Sequence, residues 1–109
     1  MIHLTTNQTS INSTFSSATV EFILDYFKDH ELVAVDTETE GFDPYTKNIL
    51  TLQLGDKDEQ FVIDVTTVPI IQFKALLESK TLLLQNAKFD LRFLYRNGII
   101  PTKVYDTFL

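Results

Sequence analysis

The sequence predicts an α/β domain built on a mixed β-sheet with flanking helices, and three observations support this prediction. The chain has 109 residues, of which 44% are hydrophobic, which is enough for one compact core. The first half contains short apolar runs joined by short polar links, a pattern typical of an antiparallel meander. In the second half, helical spacing alternates with strand-like runs, which favours parallel strands joined by right-handed crossovers.

Residues 1–31 are interpreted as an amino-terminal extension of the core. Residues 1–6 are predicted to form a short edge strand. Residues 16–30 predict a helix, because apolar side chains recur at helical spacing after Ser17, a plausible N-cap. The core then begins with residues 32–36 (LVAVD), an apolar run typical of a buried strand.

The next two strands are predicted to complete the meander. Residues 40–47 (EGFDPYTK) contain glycine and proline and predict a loop. Residues 49–54 alternate apolar and polar side chains, as expected of a strand with one covered face. The segment 55–59 (GDKDE) has the composition of a hairpin turn, and residues 60–65 form the returning strand.

Helices and parallel strands are predicted for the remainder of the chain. Pro69 suits the first position of a helix, Asn86 suits an N-cap, and Gly98 suits a helix end. The predicted elements are, in order, a helix at 68–79, a strand at 80–85, a helix at 86–97 and a short strand at 103–105.

Composition excludes several classes of protein. The chain has no cysteine, so it holds neither a disulfide framework nor a thiolate zinc site. No apolar run approaches the roughly 20 residues that span a bilayer. Residues 1–14 lack the pattern of a secretory signal. A cytoplasmic location is therefore expected. The net charge of −6 disfavours a protein that only coats nucleic acid. It is compatible with an enzyme that acts on nucleic acid through bound cations.

Three carboxylates follow predicted strands. Asp36 and Glu38 are two residues apart and share one face of an extended segment, while Asp90 lies in the first turn of a helix that follows a strand. Because ligand sites collect at the carboxyl ends of strands, the three are expected to converge and to bind hard cations. Taken singly, each has a structural explanation, such as a turn residue or a charge at a helix N-terminus. Asp64 is predicted to be a structural cap.

Two segments resemble motifs of a known family. Residues 33–41 (VAVDTETEG) resemble the first motif of the DEDD superfamily of 3′–5′ exonucleases, and residues 84–94 (LQNAKFDLRFL) resemble the second, Asn-x-x-(Phe/Tyr)-Asp. Residues 104–109 (VYDTFL) are similar to an Asp-Thr segment in the proofreading domain of DNA polymerase I-type (family A) enzymes. The resemblance covers roughly residues 32–109, and the form Asn-Ala-Lys-Phe-Asp favours the polymerase branch over the ribonuclease D branch.

This resemblance implies a ribonuclease H-like core and a 3′–5′ exonuclease that releases nucleoside monophosphates by a two-metal mechanism. The implied cofactors are two divalent metal ions, Mg²⁺ or Mn²⁺. The implied partners are the 3′ end of single-stranded DNA, or of RNA, and a polymerase domain in the intact protein, with no membrane. The implied catalytic and metal-binding residues are Asp36, Glu38 and Asp90, and the implied substrate-binding residues are Thr37, Asn86 and Phe89.

The sequence departs from the family pattern at the fourth carboxylate, and this departure leaves alternative functions open. The family has a fourth carboxylate on a later helix, whereas this sequence reaches Leu109 without one, and Asp106 follows a strand instead. We therefore expect a domain that is incomplete at its C-terminus, inactive or nearly so alone, and prone to self-association. A catalytically silent nucleic-acid-binding or scaffold module of the same fold is the alternative. A Rossmann-type nucleotide-binding domain is disfavoured, because no Gly-x-Gly-x-x-Gly follows a strand.

Overall fold

Seven strands form one mixed sheet in the computed structural model, which describes residues 1–7 and 16–107. The strands are β1 (Ile2–Thr5), β2 (Ser16–Ser17), β3 (Leu32–Thr39), β4 (Ile49–Gly55), β5 (Gln60–Asp64), β6 (Thr81–Leu84) and β7 (Lys103–Asp106). The helices are α1 (Val20–Phe27), α2 (Lys74–Ser79), which follows a 3₁₀ turn at Ile70–Phe73, and α3 (Ala87–Arg96). The order across the sheet is β2-β1-β5-β4-β3-β6-β7.

The predicted division of the sheet into an antiparallel and a parallel part is confirmed. Strands β3, β4 and β5 form the antiparallel meander, and β6 and β7 extend it in parallel on the other side of β3. The strand predicted within residues 1–6 is confirmed by β1, but its predicted position at the edge of the sheet is wrong. Strand β1 runs parallel to β5 on one side and to β2 on the other, because Ser16 and Ser17 pair with His3 and Leu4.

That pairing also shortens the first helix. Helix α1 begins at Val20 rather than at residue 16, and Thr19, not Ser17, caps it by accepting a hydrogen bond from Phe22 N at 3.0 Å. Ser17 is unsuited to the capping role because it belongs to β2. Likewise, the helix predicted at 68–79 is divided into the 3₁₀ turn and α2.

The helices pack against one face of the sheet, where they form the core. Alternate strand side chains and the inward sides of α1, α2 and α3 belong to one cluster, which includes Ile23, Phe27, Val33, Val35, Leu52, Leu54, Phe61, Ile63, Leu77, Leu82, Leu84, Phe93 and Leu94. On β3 the intervening residues Leu32, Ala34, Asp36 and Glu38 are exposed. Self-association was expected around Tyr105, Phe108 and Leu109. Tyr105, on β7, is exposed, and Phe108 and Leu109 lie outside the described residues.

Helix α3 is only ten residues long. Within residues 1–7 and 16–107, no helix has the length and apolar character needed to cross a membrane.

Candidate active site

Asp36 and Glu38 lie within a strand rather than beyond its end. Strand β3 continues to Thr39, because Asp36, Thr37 and Glu38 pair with Gln53, Leu52 and Thr51 of β4. Apolar character ends near residue 36, but the antiparallel partner keeps the backbone extended. The two carboxylates therefore project from the open face of the sheet, as their spacing predicts.

Thr37 points the opposite way and connects the two predicted motifs. Its side chain is buried, with 7% of the residue exposed, and its hydroxyl donates a short hydrogen bond to Asp90 Oδ1. Asp90, in the first turn of α3, is 3% exposed. The backbone N–H of Thr37 donates to Asp36 Oδ1 at 2.9 Å. One residue therefore holds both Asp36 and Asp90 in place.

Negative charge accumulates around Asp90. Burial, the largest cause, and the charges of Asp36 and Asp106 together raise the pKa of Asp90 from 3.8 to about 6, although the hydrogen bonds from Thr37 lower it. The pKa of a carboxyl is raised in this way when a nearby like charge is uncompensated. A cation would relieve this repulsion, and carboxylate oxygens are the ligands that Mg²⁺ and Mn²⁺ prefer.

The carboxylates suit a hard cation by their chemistry, but only part of the predicted set is gathered. Within the described residues, no group of three or more His, Cys, Asp or Glu side chains is arranged to hold a metal ion. The fold thus brings Asp36 close enough to Asp90 to raise its pKa, without grouping Glu38 with both of them.

Asn86 does not cap α3 with its side chain, contrary to the prediction. It adopts the left-handed conformation (φ 58°, ψ 59°) and makes no side-chain capping bond. Asp106, at the end of β7, takes this role: its carboxylate accepts hydrogen bonds from Asn86 N at 3.1 Å and Ala87 N at 3.0 Å. Sequence reasoning missed this function of Asp106, and the only available signal was its place in the Asp-Thr segment.

A cleft of about 500 Å³ opens between the middle of β3 and the carboxyl end of β6. Its walls include Asp36, Gln85 and Asn86. Phe89 is outside this cleft: it is half-buried and its ring contacts those of Phe93 and Phe42. Of the predicted site residues, Asp36 and Asn86 border the cleft, while Thr37 and Asp90 support it from the covered face of the sheet.

Asp64 is a structural cap, as predicted. Its carboxylate accepts hydrogen bonds from Thr66 N at 3.1 Å and from the hydroxyls of Thr6 and Thr67. These bonds fix the turn after β5, and Asp64 does not line the cleft beside Asp36.

Comparison with known proteins identifies related sequences. The family model described as 3′-5′ exonuclease matches residues 12–109. Over 76 residues, or 69% of the chain, the sequence is 36% identical to DNA polymerase I of Aquifex aeolicus. The matched segment spans only 12% of that polymerase.

Solved structures share the fold, which is the expected ribonuclease H-like one. Escherichia coli RNase D, an exoribonuclease, matches 81% of this chain and 24% of its own with a TM-score of 0.68 and 25% identity. Brucella melitensis NrnC, also solved with bound Mg²⁺ and bound to pGG, matches 97% of this chain and 48% of its own, with a TM-score of 0.66 and 23% identity. The catalytic core of RRP6 from Trypanosoma brucei has a TM-score of 0.72 at 18% identity, with 96% of this chain and 28% of its own covered.

Proposed function

The chain belongs to the 3′–5′ exonuclease family, and from this premise we propose that it serves as the proofreading exonuclease domain of a DNA polymerase. Its substrate is the 3′ end of single-stranded DNA. The observation that carries this proposal is the buried bond between Thr37 and Asp90, because it joins the strand of Asp36 to the helix of Asp90 beside an open cleft. The relation to a DNA polymerase I supports the polymerase context.

The reaction is hydrolysis of the last phosphodiester. Water forms a bond to phosphorus, the bond to the 3′ oxygen of the preceding nucleotide breaks, and that oxygen takes up a proton. The product is a nucleoside 5′-monophosphate. No covalent bond to the protein is required at any point.

Asp36, Glu38 and Asp90 are the residues that would hold the divalent cations, Mg²⁺ or Mn²⁺. A bound cation supplies an acidified water and neutralises charge on the phosphate. Thr37 keeps the Asp90 carboxylate fixed. We assign binding of the terminal nucleotide to Asn86, and its exposure at the cleft wall supports this assignment.

Phe89 acts indirectly. Its ring lies 5.1 Å from that of Phe93, a core residue, and 6.1 Å from that of Phe42 in the loop after β3. We assign it the role of holding that loop against α3 beside the bound strand.

A catalytically silent nucleic-acid-binding or scaffold module of the same fold is the second candidate. It is favoured by the lack, among the described residues, of a group of three side chains arranged to hold a metal.

Metal binding and digestion together test the two candidates. Calorimetric Mn²⁺ titration and digestion of 3′-labelled single strands of DNA and RNA should be measured for the wild type, Asp36→Asn and, as a matched control, the exposed Asp29→Asn. Because this chain alone is expected to be inactive or nearly so, we expect weak Mn²⁺ binding and at most slow, EDTA-sensitive removal of 3′ nucleotides. Asp36→Asn should abolish both, and Asp29→Asn should change neither. Strand binding without Mn²⁺ binding or digestion would support the silent module. Faster digestion of the RNA strand would contradict the assignment to DNA.

A further inference from the structure

A second cleft, of about 370 Å³, lies between the loop after β3 and the outer face of α3. We call it the Tyr–Arg cleft, and its lining residues are Pro44, Tyr45, Arg92, Tyr95 and Arg96. No predicted site residue belongs to it, and the sequence spacing of the tyrosines gives no sign that Tyr45 and Tyr95 meet.

The cleft concentrates positive charge in an acidic protein. Arg92 and Arg96 are the only arginines in the chain, whose net charge is −6. Because they are four residues apart on α3, they lie on the same face, and Lys88 precedes them by one further turn. All three are exposed, and within residues 1–7 and 16–107 neither guanidinium forms an ion pair with a carboxylate.

Two tyrosines stand beside these charges with their rings largely open to solvent. Tyr45 is 75% exposed and Tyr95 is 48% exposed. The loop holds Tyr45 in place, since Asp43 Oδ1 accepts a hydrogen bond from Tyr45 N at 2.9 Å and Asp43 O accepts one from Lys47 N at 2.9 Å. The neighbouring Pro44 is buried. The aromatic surface is therefore presented by an ordered turn.

Both walls of the cleft belong to elements that carry the candidate active site. The loop begins directly after β3, which bears Asp36 and Glu38, and α3 bears Asp90. Phe42 and Phe89 meet edge to face, so the loop is held against α3. Arg96 lies six residues after Asp90, which is about 9 Å along the helix axis at the normal rise.

We propose that the Tyr–Arg cleft binds the single strand upstream of the two nucleotides at its 3′ end. This inference rests on the proposed exonuclease function and adds a strand-binding site to it. Arg92 and Arg96 bind backbone phosphates, for which the planar guanidinium provides paired donors. Tyr45 and Tyr95 stack against a base, an interaction that tolerates any sequence because every base has a π-face.

Strand length provides the test. Binding of 5′-fluorescein-labelled oligothymidylates of two and eight nucleotides should be measured by anisotropy in EDTA, where no hydrolysis occurs. The variants are Arg92→Gln, Arg96→Gln and Tyr95→Leu, and the control is Lys57→Gln, which removes one exposed positive charge from the hairpin turn. Circular dichroism melting of each variant should match the wild type, since these side chains are exposed.

We expect each arginine variant to weaken binding of the eight-nucleotide strand about tenfold and to reduce the salt slope by about 0.7, the value for one phosphate contact on a single strand. Tyr95→Leu should weaken it at least fivefold without changing the slope. Binding of the dinucleotide should change less than twofold, because it does not reach the cleft. Lys57→Gln should leave both affinities unchanged.

Two results would overturn the inference. One is an equal loss of affinity for the eight-nucleotide strand in the arginine variants and in Lys57→Gln, which would indicate only a general effect of charge. The other is an octaglutamate peptide that competes for the cleft more strongly than the eight-nucleotide strand, which would assign it to an acidic protein. Failure of the proposed exonuclease function looks different: the eight-nucleotide strand would still bind with the losses expected above, but the wild type would show no Mn²⁺-dependent digestion that Asp36→Asn abolishes.

Discussion

Replacing Asp90 with asparagine is expected to make the metal-free protein more stable at pH 8. The substitution keeps an oxygen that accepts the bond from Thr37 and removes a charge that is buried beside Asp36 and Asp106. A residue held for its chemistry commonly reduces stability in this way, because its charge is uncompensated until a ligand arrives.

The magnitude follows from the pKa of Asp90. Burial, with the charges of Asp36 and Asp106, raises that pKa from 3.8 to about 6. The folded protein therefore keeps the proton on Asp90 to a higher pH than the unfolded chain does. The stability that this proton contributes is fully present below the pKa of the unfolded chain, and it is lost as pH rises through about 6. At 1.36 kcal/mol per pH unit, ionisation of Asp90 costs about 3 kcal/mol at pH 8 and less than about 1 kcal/mol at pH 4.

Urea unfolding in EDTA measures this difference. Asp90→Asn should exceed the wild type by up to about 3 kcal/mol at pH 8, with the gap closing toward pH 4. Adding Mn²⁺ at pH 8 should stabilise the wild type and narrow the gap, because only the wild type retains the full set of carboxylates. A gap that is the same at both pH values, or a less stable Asp90→Asn at pH 8, would refute the electrostatic reasoning.

Three further substitutions have separate expected outcomes. Thr37→Val should destabilise the fold by about 1–3 kcal/mol at pH 8, since the buried Asp90 loses its hydroxyl donor, and Thr37→Ser should restore most of that loss in urea unfolding. Asp106→Ala should cost about 1 kcal/mol, because the N–H groups of Asn86 and Ala87 at the start of α3 lose their acceptor, whereas Asp106→Asn should cost less. The hydrogen bond to Asp56 raises the pKa of Tyr26 to about 12, so alkaline titration at 295 nm should show a late tyrosine component that Tyr26→Phe removes.

Each of these outcomes has a result that would contradict it. Equal stability of Thr37→Val and Thr37→Ser would show that the hydroxyl contributes nothing to the fold. A loss in Asp106→Ala no larger than in Asp58→Ala, which removes an exposed carboxylate from the hairpin turn, would remove the capping role. A late tyrosine component that persists in Tyr26→Phe belongs to another phenol.

The antiparallel meander could be predicted because side chains on β4 and β5 alternate between the core and the open face. This alternation is visible in the sequence as alternating apolar and polar residues. The end of β3 could not be predicted in the same way. Asp36–Thr39 have no apolar run, and they are extended only because β4 pairs with them. Similarly, nothing local indicates that Ser16 and Ser17 pair with β1, since that pairing depends on distant residues.

The candidate site likewise has a part that the local sequence predicts and a part that depends on contacts between distant residues. The spacing of Asp36 and Glu38 defines a shared face without any knowledge of the fold, so that part was predictable. The cap supplied by Asp106 joins residues 20 positions apart in the chain, and the Tyr–Arg cleft joins Tyr45 to a helix some 50 residues later. Such contacts exist only after the chain has folded, and the sequence contains no periodic signal for them.

The pairing of β3 explains why the site opens where it does. On the β6 side, hydrogen-bonded pairing covers only Leu32 to Ala34, whereas β3 itself continues to Thr39. Strand β6 ends at Leu84, and the chain turns through the left-handed Asn86 into α3. Strands β3 and β6 therefore separate just before Asp36, and the cleft is the gap between them. Asp36 lines the cleft from the open face of the sheet, whereas Asp90 is buried on the covered face, and Thr37 donates hydrogen bonds to both carboxylates.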